Sequence, residues 1–279
     1  MIEVIFLIVL ALIWIIFAVV QDLRTREVSN WLNFSLIIFA LGFRFIYCLF
    51  SSESFAFFYQ GLIGLGIFFV IGNLLYYGRT FAGGDAKLMI ALGTILPFSE
   101  NFFTNLKFFI LFFLIFLLIG AFYGLIISAA LSLRNFKKLK KEFYIQLKNN
   151  KKVVYSVMIL GLVLMAFWFV ENLLLFFGIL VFILPYFYFY GKAVDEICMV
   201  KKVKTKDLKE GDWLYKNLRV GRKLIKISWE GLNKDDIKLI KKKYREIMIK
   251  QGIPFTPVFL ISFLILIYFW KIGLWDSFW

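Results

Sequence analysis

MIEVIFLIVLALIWIIFAVVQDLRTR, residues 1–26, decides the fold. Residues 2–20 hold one charged residue, Glu3, and are long enough as a helix to cross about 30 Å of hydrocarbon at ~1.5 Å per residue. The run ends in Gln21-Asp22-Leu23-Arg24. There is no small-residue cleavage site and no basic amino end, so it is expected to stay in the membrane rather than be removed as a signal peptide. Asp22 stands out for the same reason, since a carboxylate beside a bilayer is costly and marks a functional position by default.

The rest of the chain repeats the pattern. It has 279 residues, 62% hydrophobic and 20% aromatic, more apolar than one soluble core can hide. Eight apolar runs are predicted to be transmembrane helices, at 2–20, 31–50, 55–77, 86–98, 107–131, 153–170, 173–190 and 254–271. The fourth is short, and either an angled entry or a broken helix is expected there, which lipid tolerates where protein or a water-filled cavity covers the backbone. The expected fold is an all-α polytopic transmembrane bundle of about eight helices with a small α+β insertion. Its expected parts are a catalytic membrane region (1–133), a basic cytoplasmic loop (134–152), a transmembrane hairpin (153–190), a cytoplasmic insertion domain (191–252) and a C-terminal transmembrane helix (253–279).

Charge sets the orientation. Arg24 and Arg26 follow the first run, Arg79 and Lys87 flank the connection after the third, and residues 134–152 carry eight Lys or Arg against the single acid Glu142. The positive-inside rule makes these segments cytoplasmic. The opposite loops, Ser51-Ser52-Glu53-Ser54, Pro97-Phe98-Ser99-Glu100 and Glu171-Asn172, lack basic residues and fall outside, as both termini then do. Most of the net charge of +15 resides in 134–152 and in 191–252, which has eighteen basic residues against nine acidic. Nucleic acid is the sharper reading of such a balance. Juxtamembrane Lys and Arg facing anionic lipid account for it more simply, so anionic membrane lipids and no nucleic acid are the expected partners.

Within 191–252, Glu210-Gly211-Asp212 reads as a turn, with a small hairpin around it. Asn233 reads as the N-cap of a helix that has Asp235 and Asp236 in its first turn and Lys241, Lys242, Lys243 and Arg245 toward its end. Ile237, Ile240, Tyr244 and Ile247 read as one packing stripe. Pro254 and Pro257 open the last membrane helix.

The chain has no histidine, and its two cysteines, Cys48 and Cys198, lie far apart. This leaves no zinc site of the usual spacing and no Ser-His or Cys-His nucleophile, so neither metal nor cofactor is expected. Acid-base work falls to carboxylates. Asp22 follows the first run and Asp85, in Ala82-Gly83-Gly84-Asp85-Ala86-Lys87, follows the third, so both lie on one side of the membrane and can meet. Two carboxylates at hydrogen-bond distance cannot both ionise readily. One then takes a proton from water while the other polarises a peptide carbonyl, as an aspartic peptidase requires. Gly83 and Gly84 read as residues free to take positive φ and to let a substrate strand approach, or as a plain turn. Lys87 reads as a group that tunes the pair or contacts substrate, or as a snorkelling lysine. Asp22 can also be read as an ion-pair partner of Arg24 or Arg26.

Gln21-Asp22-Leu23-Arg24-Thr25-Arg26-Glu27-Val28, followed by Asn30-Trp31, together with Gly83-Gly84-Asp85-Ala86-Lys87-Leu88, resembles the two active-site segments of the type IV prepilin peptidases, in particular the archaeal preflagellin and prepilin peptidase branch of these GxGD-type membrane aspartic peptidases. The likeness is most convincing over roughly residues 1–130. The resemblance implies Asp22 and Asp85 as the catalytic pair, with Gly83, Gly84 and Lys87 positioning substrate. It also implies cleavage, at the cytoplasmic membrane face, of the short basic leader of pilin-like or archaellin precursors. In place of the first glycine of G-x-G-D stands Ala82, whose Cβ restricts φ. Bacterial relatives often carry a four-cysteine zinc module and methylate the new amino terminus. Neither is implied for a chain with two distant cysteines. Two other readings use the same aspartates: a catalytically silent membrane scaffold, and a proton- or cation-handling protein. The latter calls for carboxylates deep in the spans and paired inverted repeats, which the sequence lacks.

Overall fold

A computed structural model describes residues 2–51, 54–221, 223–228 and 230–275. Ser52 and Glu53 of the expected external loop, and residues 276–279 of the expected C-terminal segment, lie outside the described residues. The chain is an all-α multi-pass membrane protein with a small strand-bearing insertion. It folds as two compact units, one of Met1–Gly124 with Pro254–Trp279 and one of Leu125–Ile253.

In the first unit the helices are α1 (Ile2–Thr25), α2 (Asn30–Phe50), α3 (Ala56–Tyr77), α4 (Gly83–Leu92) and α5 (Phe102–Arg134), which continues into the second unit, and the chain returns as α10 (Thr256–Lys271). Among the described residues five helices are long and apolar enough to cross a membrane: α1, α2, α3, α5 and, in the second unit, α8 (Asn172–Cys198). The remaining runs form shorter helices. α10 has 16 residues, or about 24 Å. α1 and α2 run antiparallel: Tyr47 near the end of α2 donates from Oη to Glu3 at the start of α1 (3.3 Å).

The fourth run is broken, one of the two forms its length suggests. α4 ends at Leu92 and residues 93–95 form turns, leaving carbonyls without intrahelical donors. Arg44, fully buried in the middle of α2, supplies those donors. Its Nε donates to Thr94 O (2.9 Å), and its Nη2 to Ile95 O (3.2 Å) and Pro97 O (2.6 Å). Nη1 donates to Phe57 O (2.9 Å), and the Phe57 ring lies 4.2 Å from the guanidinium carbon. A cation inside an apolar bundle and a helix end without donors thus satisfy one another. Glycines on α3 make the room. A Cβ on Gly61 would stand 2.6 Å from Arg44 Cδ, and one on Gly64 would stand 2.1 Å from Gly93 O, so these backbones approach as only small residues allow.

In the second unit the basic segment is helical rather than a loop: α6 (Phe136–Asn149) is followed by α7 (Lys151–Ala166). α7 and α8 touch at Gly161 and Gly178, where a Cβ on either would come within 2.7 Å of the other helix. After α8 come β1 (Val200–Lys204), a 3-10 turn, β2 (Trp213–Leu214), β3 (Leu218–Val220), β4 (Lys223–Ile225), α9 (Lys234–Lys243) and β5 (Glu246–Lys250). The expected hairpin takes another form: β1 and β2 both pair antiparallel with β5, in the order β1-β5-β2, while β3 pairs with β4. Asn233 caps α9, accepting from the Asp236 amide (2.8 Å). The helix stops at Lys243, so Arg245 and Ile247 lie beyond it. Ile237, Ile240 and Ile247 are nonetheless buried together with Leu208, Leu214, Ile225, Leu232 and Ile249, with Tyr244 against them.

Candidate active site

Asp22 sits in the last turn of α1, which Arg26 ends by adopting a left-handed φ of 60° while its amide donates to Asp22 O (2.9 Å). The Gln21 side chain accepts from Ser29 N (3.0 Å) and folds residues 26–29 back toward α1. α3 ends in a matching way. Arg79 takes φ 61° and donates to Tyr76 O, while Thr80 N donates to Leu75 O, a Schellman closure with arginine where glycine is usual. A left-handed conformation at a non-glycine residue costs about 1–2 kcal/mol. Both basic residues that mark the topology therefore also shape the turns beside the aspartates.

Asp85 lies in the first turn of α4. Ala82 is the N-cap, with φ −71° and ψ 159°, extended backbone that alanine adopts without strain, so the missing first glycine leaves the turn intact. Asp85 reaches back toward the Ala82 amide, the reverse half of a capping box. The reading of Gly83 and Gly84 as positive-φ residues does not hold, because both belong to the first turn of α4 and neither has positive φ. What Gly84 supplies is closeness. A Cβ there would stand 3.3 Å from Val28 Cβ, so the turn bearing Asp85 packs directly on the loop that follows Asp22. Lys87 donates from Nζ to Asn30 Oδ1 at the start of α2 (2.6 Å) and ties the same two segments together.

Asp22 and Asp85 come near enough for the charge of one to act on the other. Asp22 is 7% exposed, and its Oδ2 accepts two hydrogen bonds from the first residue of α10, one from Thr256 N (3.1 Å) and one from Thr256 Oγ1 (2.9 Å). The approach to α10 is fixed from two sides. Tyr123 Oη donates to Pro254 O (2.9 Å), and Phe255 packs with Phe81 (ring centroids 5.9 Å apart) and Phe116 (5.7 Å). Phe81 directly precedes Ala82, so a single aromatic cluster holds the strap carrying Asp85 and the one carrying Thr256.

All five residues singled out in the sequence, Asp22, Gly83, Gly84, Asp85 and Lys87, thus gather at one end of the first unit. Sequence reasoning missed Thr256 and Tyr123. The one available signal was a threonine between Pro254 and Pro257 at a helix start, and nothing local links it to a carboxylate 234 residues away.

Residues 9–127 match the model of the type IV leader peptidase family. The preflagellin peptidase of Methanococcus maripaludis is 26% identical over 152 residues, covering 50% of this chain and 65% of that protein. The preflagellin peptidase of Methanocaldococcus jannaschii is 29% identical over 85 residues, 30% of this chain and 36% of that protein. The chain thus spans less than two thirds of the length of these relatives. No solved structure matches it significantly. Over the segment that holds both aspartates and the turns presenting them, this chain is similar to the type IV leader peptidase family and to archaeal preflagellin peptidases.

Proposed function

We propose that the protein is a membrane-embedded aspartic endopeptidase that removes the short basic leader of archaellin or pilin-like precursors, with Asp22 and Asp85 as its catalytic pair. One observation carries the reading: in the segment similar to a leader peptidase family, the turn bearing Asp85 packs on the loop that follows Asp22, so the two carboxylates share one end of the unit. One carboxylate takes a proton from water as its oxygen attacks the scissile carbonyl carbon. The other donates to the carbonyl oxygen, and a proton passes to the amine as the carbon–nitrogen bond breaks.

The active end faces the cytoplasm in this reading. Arg24, Arg26, Arg79 and Lys87 border the site, as the positive-inside rule favours. A precursor whose basic leader precedes an apolar helix can lay that helix beside the bundle and leave its leader at the interface. The lysines of α6 suit anionic lipid, at roughly 1 kcal/mol each near the surface. Gly83, Gly84 and Lys87 act by holding the Asp85 turn against the loop after α1, and substrate is positioned through that turn.

The test is incubation of the full-length protein in nanodiscs with an archaellin precursor, the product being sequenced at its new amino terminus. The expected result is a single cut at the leader boundary by wild type and none by Asp22→Asn. Uncut precursor with wild-type protein, across several archaellin and pilin precursors, would overturn the reading.

A further inference from the structure

The two aspartates are not held alike. Asp22 Oδ2 accepts both the amide and the hydroxyl of Thr256, and both residues are buried. Asp85 faces the amide of Ala82 and the charge of Asp22. An oxygen that already accepts two donors is a poor seat for a proton, since an ionised carboxylate only accepts while a protonated one must also donate. The donors on Asp22 come from the first residue of a helix, where free amides favour negative charge. The Tyr123 hydroxyl, also within reach of the Asp22 charge, has one proton and gives it to Pro254 O, so it fixes the strap rather than competing for Asp22.

We propose that Thr256 is a positioning residue that assigns the roles within the pair: by occupying Oδ2 it leaves Asp22 Oδ1 to take the proton from water, and Asp85 becomes the partner that carries the proton to the substrate carbonyl. The proposal rests on the peptidase reading for its kinetic consequence but not for its geometry. It also gives the last helix a chemical task. α10 delivers a threonine to an aspartate from the far end of the chain, so the pair is incomplete without it.

The test compares Thr256→Val, which keeps the shape and the amide but drops the hydroxyl, and Thr256→Ala with Thr256→Ser, which keeps the hydroxyl. In precursor cleavage, kcat falls about 10- to 100-fold in the valine and alanine variants, the scale of loss from a misaligned catalytic group. KM stays within roughly twofold, and serine restores kcat, because the rest of the substrate contacts are untouched. A residue that merely supported the fold would lower the amount of active protein in all three variants and leave kcat per folded molecule unchanged.

The second readout needs no activity. The infrared band of the Asp22 side chain, isolated as wild type minus Asp22→Asn, shifts in the valine and alanine variants and returns in the serine variant. Unchanged kcat together with an unchanged band would overturn the proposal. Absence of cleavage by wild type with a shifted band would overturn the peptidase reading while leaving the Thr256 contact standing.

Discussion

Among the described residues the first unit buries charge at two places, and they are built on opposite plans. Around Arg44 four of the five N–H donors are used: hydrogen bonds run to carbonyls of Phe57, Thr94, Ile95 and Pro97, and an aromatic ring covers the guanidinium. Around Asp22 and Asp85 two like charges are brought together, and only one of the four carboxylate oxygens is doubly engaged by Thr256. Burying a charge is costly in both cases. In the first the cost is offset by four hydrogen bonds to backbone carbonyls, which join α2 to the broken end of α4 and the start of α3. In the second, acceptor capacity is left over for water and a peptide. On the proposed reading, the same bundle tells a structural charge from a reactive one by how completely the backbone satisfies it.

Substitutions can break this comparison in order of expected effect. The largest belongs to the reactive end. Asp85→Asn keeps the shape but cannot cycle a proton, and cleavage falls by at least the roughly 10²–10⁴-fold typical of a lost general acid or base, while thermal unfolding in detergent stays within a few degrees of wild type. Arg44→Met does the reverse. It leaves the carbonyls of Phe57, Thr94, Ile95 and Pro97 without their donors in apolar surroundings at roughly 1–3 kcal/mol each, so the folded yield and unfolding temperature drop sharply, and cleavage falls only in proportion to folded protein.

Gly64→Ala falls next. Its Cβ would meet Gly93 O at 2.1 Å, and the overpacking costs about 1–3 kcal/mol, read as a lower unfolding temperature with kcat per folded molecule kept. Lys87→Met removes one hydrogen bond to Asn30 and costs about 1 kcal/mol, with cleavage changed no more than a few-fold. The smallest effect is none: zinc chelators leave cleavage intact, because the chain has no histidine and only two distant cysteines. Inhibition that zinc reverses would contradict that expectation.

How much of this could be read in advance divides along the same line. The apolar runs marked helices, five of them among the described residues long and apolar enough to cross a membrane, because crossing hydrocarbon demands a composition that needs no partner to interpret. The two aspartates stood out by position and motif. The short fourth run announced an angled or broken helix, but not the residue that closes it, since Arg44 lies about 50 positions before the carbonyls it binds and looks in sequence like an intrusion into α2. Thr256 was hidden for the same reason over a longer separation. The glycine pair misled in a more local way. Gly-Gly reads as a turn with positive φ, yet Ala82 takes the extended N-cap conformation, which puts both glycines into the first helical turn, where they serve by being small. The basic segment 136–149 looked like a loop because its charge outweighs its apolar content, although it folds as α6.

The central claim is that Asp22 and Asp85 act as one catalytic unit, and a double-mutant cycle on cleavage tests it most directly. Single-turnover rates are measured for wild type, Asp22→Asn, Asp85→Asn and the double variant, each in the same nanodiscs with the same archaellin precursor. The account predicts that either single change removes essentially all turnover and that the double variant is no slower than the singles, because half of a pair is worth nothing. Turnover retained by either single variant, or losses that multiply in the double, would contradict it.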